Sequence, residues 1–91
     1  MKDHTAVLVT TQHRGVFFGW VQKDQDMSAR TMSLKGSRCA IHWRTTKGVA
    51  ELAEIGPNQD SKIGSKADLV ALHDITAIWA CTEEAVTAWM A

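Results

Sequence analysis

Apolar positions in the first half of the chain come in short runs with a two-residue rhythm. Thr5 to Thr11, TAVLVTT, is β-branched, and Gly15 to Val21, GVFFGWV, is aromatic and β-rich, with QHR just before the glycine. Two such runs parted by a polar break predict a hairpin. In its second strand Val16, Phe18 and Trp20 share one face, and Phe17, Gly19 and Val21 the other. The absent side chain at Gly19 predicts that a backbone or an aromatic ring comes close there. The QKDQD segment that follows reads as a solvated loop. Asp24 and Asp26 open it like a calcium site, but the glycine and distal glutamate of such a site are missing.

A second alternating stretch, Ala29 to Leu34 and Arg38 to Trp43, flanks KGS and predicts a tight hairpin around Lys35 and Gly36. With those two as the loop, Met32 lies opposite Cys39 and Ser33 opposite Arg38. Met32, Leu34, Cys39, Ile41 and Trp43 then form an apolar face to be buried. Thr31, Ser33, Arg38, His42 and Arg44 form a polar one.

The rhythm changes after Thr45 and Thr46, which are candidate caps. KGVAELAEIG repeats apolar residues at Val49, Leu52, Ala53 and Ile55, ends at Gly56 and meets Pro57, so it predicts a short helix over 47–55. After the NQDSK loop, residues 69–80 are apolar except for His73, Asp74 and Thr76. They read as two strands turned at His73 and Asp74 and apolar on both faces. Thr82 is the N-cap of a last short helix, with Glu83 and Glu84 in its first turn and Ala85, Val86, Trp89 and Met90 as its packing stripe. These elements predict an α+β domain: a strongly bent antiparallel sheet or small open barrel of five or six strands, with one short helix and a short C-terminal helix.

Ninety-one residues suit a single domain over 1–91. A chain of that size buries only roughly 60 to 65% of its unfolded surface, and oligomerisation is the simplest way to add to its core. Ten Lys and Arg balance ten Asp and Glu, so no global field draws the protein to nucleic acid or to an anionic membrane. Cys39 and Cys81 have neither a second ligand pair nor a disulfide-rich context, and are expected to be buried thiols in a reducing cytosol. The opening MKDHTAVLVT has the makings of neither a signal peptide nor a membrane span, so a cytoplasmic protein is expected.

The pairs His73 with Asp74 and Cys39 with His42 could pass for catalytic partners, yet positions one or three apart in a strand point to opposite faces. No enzyme is expected. His4, His13, His42 and His73 lack helical or Cys-paired metal spacing, and no phosphate loop or other cofactor motif occurs, so neither metal nor cofactor is expected.

The order of GVFFG, a strand and turn leading to Arg38 and on to Trp43, ELAEIG, SKIGS and the closing CTEEA resembles a family of small proteins encoded by tailed phages and prophages, a domain of unknown function. The resemblance runs from about Val7 to Trp89. It departs from the family pattern where Ile41 and His42 replace aromatics and Cys39 replaces a second arginine. The resemblance implies a phage or prophage accessory protein working in the bacterial host cytoplasm.

Two functional readings follow. In the first, the protein is a non-enzymatic, oligomeric protein-binding module, self-associating or engaging a host protein through Leu69, Leu72, Ile75 and Ile78. In the second, it is an oligomeric pocket protein that sequesters a nucleotide-like anion for counter-defence, using Arg38, His42, Arg44 and Lys47 beside a helix start.

Overall fold

Both faces of the first strand are buried, and the rest of the fold follows from covering them. The computed structural model describes residues 3–12, 15–42, 48–57 and 61–91, with His42 as backbone only. The elements are β1 (His4–Thr11), β2 (Val16–Gln22), β3 (Met32–His42), α1 (Ala50–Glu54), β4 (Lys62–Ile63), β5 (Ala67–Leu72), β6 (Ile75–Ala80) and α2 (Glu83–Met90). Six antiparallel strands make one open sheet in the order β4-β3-β2-β1-β6, with β5 also paired to β3. This is the small α+β fold expected, with two short helices. No helix among the described residues is long and apolar enough to cross a membrane.

The β1–β2 hairpin forms in the predicted phase, with Ala6 opposite Trp20 and Leu8 opposite Phe18. One face of this pair, with Ala6, Leu8, Val16 and Phe18, packs against Leu52 and Ala53 of α1 and Ala85 and Trp89 of α2. The Trp89 ring stacks on Phe18 at 5.3 Å, and its Nε1 donates to the Leu52 carbonyl at 2.9 Å. The indole so fills volume without leaving its N–H unpaired. The other face, with Val7, Val9 and Val21, packs against Met32, Leu34, Leu72 and Ile75 as the sheet curls over itself.

That curl is imposed by a short connection. Leu72 pairs with Met32 on β3, whereas Ile75 pairs with Thr11 on β1. The two residues between them, His73 and Asp74, can bridge only about 10 Å, so the two edges of the sheet meet at this corner. Asp74 takes a positive φ of 59° to make the turn. Its carbonyl accepts from Gln12 N at 3.0 Å, and Ile75 N donates to the Arg30 carbonyl at 3.2 Å. The predicted turn at His73 and Asp74 is therefore present, but the strands on either side do not pair with each other as a hairpin.

The hairpin expected at Lys35 and Gly36 is not formed. β3 runs through the KGS segment as one strand, and its partners are Phe17 opposite Cys39, Phe18 opposite Arg38 and Trp20 opposite Lys35. Three steps on β3 face two on β2, which is a bulge, and Gly36 sits in it with φ 57°. A left-handed glycine serves a two-residue turn and a bulge equally well. Met32 consequently lies opposite Leu72 and not Cys39. Met32 and Leu34 are buried as expected, but Cys39 is only half-buried and Ile41 is 59% exposed. Trp43 lies outside the described residues.

At Gly19 a Cβ would stand 2.8 Å from the Leu34 Cβ. The close approach expected there is made by an aliphatic side chain. α1 begins at Ala50, and of its predicted span Lys47 lies outside the described residues, as do Thr45 and Thr46. At α2, Thr82 Oγ1 accepts from Ala85 N at 3.1 Å as the predicted N-cap, while Met90 is 42% exposed rather than packed.

Candidate functional site

Three regions bear on function: the cationic stretch around Arg38, the apolar segment 67–80, and a cleft beside β6. Arg38 stands opposite Phe18, so its side chain projects from the face that the helices cover. Its Nε donates to the Gly64 carbonyl at 2.9 Å, and its Nη1 donates to the carbonyls of Trp89 at 2.6 Å and Ala91 at 3.0 Å. A cation bonded to the last carbonyls of a helix satisfies groups that have no intrahelical partner and complements the negative end of the dipole. The alternation had put Arg38 on a wet face. The face assignment holds, but α2 lies on it. Arg44 and Lys47 are outside the described residues and the His42 side chain is not described, so Arg38 alone of the four expected anion ligands can be placed.

The expected interface residues recur every third position, at 69, 72, 75 and 78. In flat strands that spacing alternates faces, and half of them would point outward. Instead all four turn inward. Leu69 and Leu72 oppose Leu34 and Met32, three steps against two, so β5 carries an extra residue. β6 has another, since Ile75 and Ala77 oppose adjacent residues of β1. The two bulges, one on each side of the corner, realign the faces. Leu72 and Ile75 are buried in the core of the chain, and Leu69 and Ile78 pack against it. What remains outside is Val70, 84% exposed on β5.

β5 and β6 are also sheet edges. Neither carries lysine, arginine or proline, and Asp68 is their one charged residue. The Asp68 carboxylate is turned inward along the ladder, where its Oδ1 accepts from Gly36 N at 3.0 Å. The lysines and prolines that commonly blunt an edge are absent from both strands, and the bulges and the inward Asp68 carboxylate are the features present that hinder pairing with another chain.

The cleft has a volume of about 490 Å³ and lies where the curled sheet stays open. Val7, Ile75 and Ile78 give it an apolar floor, Ala77 and Ala80 line its β6 side, and Ser28 to Arg30 form the opposite wall. That wall is held in place by Asp26, whose Oδ1 accepts from Ser28 N at 2.9 Å and from Ser28 Oγ at 2.6 Å. The same bonds lower the Asp26 pKa. The loop whose Asp24 and Asp26 resemble the opening of a calcium site is thus a turn in which Asp26 bonds to Ser28. Sequence reading missed the cleft, because its lining comes from three distant segments and carries no motif; the small residues of SA (28–29) and of β6 are the only trace.

The two thiols are poor nucleophiles. Burial pushes Cys81 up to about 12 and raises Cys39 as well, which keeps both protonated at neutral pH. His73 Nδ1 is 3.2 Å from Thr31 Oγ1 at the corner. Among the described residues, no three His, Cys, Asp or Glu side chains gather as metal ligands do.

These features define the class: a small α+β domain built on a curled, open antiparallel sheet, with accessible edges and a cleft. Residues 4–89 match the Domain of unknown function (DUF6948), and the chain belongs to that family. No curated protein and no solved structure matches it.

Proposed function

We propose that the protein is a non-enzymatic binding module that acts through protein–protein contacts, self-associating along the outer edge of β5. The observation that carries this reading is Val70, 84% exposed in the middle of an edge strand whose Leu69 and Leu72 are already committed to the core. Pairing two β5 edges antiparallel would satisfy open backbone groups and bury Val70 against its counterpart, giving a symmetric contact. β5 itself, ADLVAL, carries no lysine or arginine to oppose it.

The resemblance to phage and prophage proteins supports an accessory role in the cytoplasm of a bacterial host, with a host protein as the further partner. The anion-sequestering alternative draws less support, since Nε and Nη1 of Arg38 already donate to Gly64, Trp89 and Ala91.

Light scattering on a sizing column tests the proposal. Wild-type protein should elute above monomer mass at high concentration, and Val70→Lys should elute as a folded monomer. A wild type that stays monomeric at every concentration overturns it.

A further inference from the structure

The cleft beside β6 is bounded on one side by a strand edge, which sets it apart from an ordinary surface hollow. At Ile75 that edge is already paired once: Ile75 N donates to the Arg30 carbonyl at 3.2 Å. From Thr76 to Ala80 no described strand continues the ladder. The wall then turns away through Ala29 and Ser28, leaving the cleft between itself and β6. The shape is that of a missing strand whose first rung is supplied by Arg30.

The chemistry of the lining narrows the occupant. Ala77 and Ala80 on β6 face Ser28 and Ala29 of the wall, small side chains that leave room for a backbone, and the floor of Val7, Ile75 and Ile78 would receive apolar side chains at alternate positions. Among the described residues that line the cleft Arg30 is the only charged one, and it is exposed at the rim. The nearest acid in the loop, Asp26, has its Oδ1 bonded to Ser28.

We infer that β6 captures an extended segment of a partner protein by strand addition, the segment presenting alternate apolar residues to the cleft and an acidic residue to Arg30. Five residues of β6 edge accommodate a strand of about 16 Å at roughly 3.3 Å per residue. The inference rests on the protein-binding reading for the kind of occupant, but it uses a different edge from Val70.

The test uses the Val70→Lys protein as well as wild type. The probe is a capped peptide alternating valine and threonine with one central glutamate, compared with its lysine counterpart, and the readout is amide exchange by NMR. The glutamate peptide should slow exchange at Thr76 to Ala80 in both proteins and bind about tenfold tighter than the lysine peptide. Arg30→Glu should reverse that preference. Equal binding of the two peptides, or binding of neither, overturns the inference. So does occupancy by decanoate, tested as a small amphipathic acid, without protection of β6 amides, because the cleft would then be a small-molecule pocket. Concentration-dependent protection of β6 in wild type without peptide also overturns it, in favour of a second copy. Peptide binding alongside a strictly monomeric wild type would leave this inference standing and remove the β5 proposal.

Discussion

Arg38→Ala separates a structural arginine from a ligand-binding one. The guanidinium makes three bonds to backbone carbonyls, those to Gly64 and Trp89 partly buried and that to Ala91 exposed. Water replaces the donor at Ala91 once the side chain is gone, so that bond contributes little. Each of the other two leaves a partly buried carbonyl short of a charged donor, at a cost of about 1 to 1.5 kcal/mol. The expected loss is about 2 to 3 kcal/mol. For a domain of this length that lowers Tm by roughly 8 to 20 °C. Urea unfolding followed by circular dichroism gives the free energy, and tryptophan emission reports the Trp89 environment independently. Arg38→Lys should recover only part of the loss, since an ammonium cannot reproduce the planar fork that reaches both Gly64 and Trp89. A change within about 0.5 kcal/mol, as at ordinary surface sites, would refute the capping role. Loss of anion-induced thermal stabilisation without loss of intrinsic stability would refute it too, and would favour the pocket reading.

Other outcomes follow from the same structure. Gly19→Ala should destabilise by about 1 to 3 kcal/mol in urea unfolding, and truncating Leu34 should not rescue it, because the 2.8 Å clash is with the Leu34 Cβ. Thr82→Ala should cost about 1 kcal/mol, with faster amide exchange at Ala85, since it removes the cap of α2 and the bond of Thr82 Oγ1 to the Glu54 carbonyl at 2.5 Å. The thiol of Cys81 ionises in the unfolded chain near its ordinary 9.0 but in the folded chain only at about 12. Its stabilising contribution is therefore complete below pH 9 and declines as pH rises from there towards 12. Denaturation midpoints measured across that window should fall, and Cys81→Ala should flatten the slope.

What the sequence made legible was local. The β1–β2 hairpin could be read because TAVLVTT and GVFFGWV have strand composition and the alternation fixes which residues share a face. Thr82 was readable as a cap because a hydroxyl just ahead of paired acids has few other uses. Gly36 was misread because its positive φ suits a turn and a bulge alike, and only the pairing of β2 with both sides of it decides. The inward turn of Leu69, Leu72, Ile75 and Ile78 was hidden for a related reason: a bulge adds a residue without changing composition. Arg38 shows the limit most plainly. Alternation placed it opposite Cys39, but which face is wet depends on where α2 lands, a contact more than fifty residues away in the chain.

The protein-binding proposal meets its most direct test in sedimentation equilibrium of wild type and Val70→Lys from micromolar to millimolar concentration. Reversible association of wild type, abolished by Val70→Lys with the circular dichroism spectrum unchanged, is the predicted result. Identical monomeric behaviour of the two proteins across that range would contradict it.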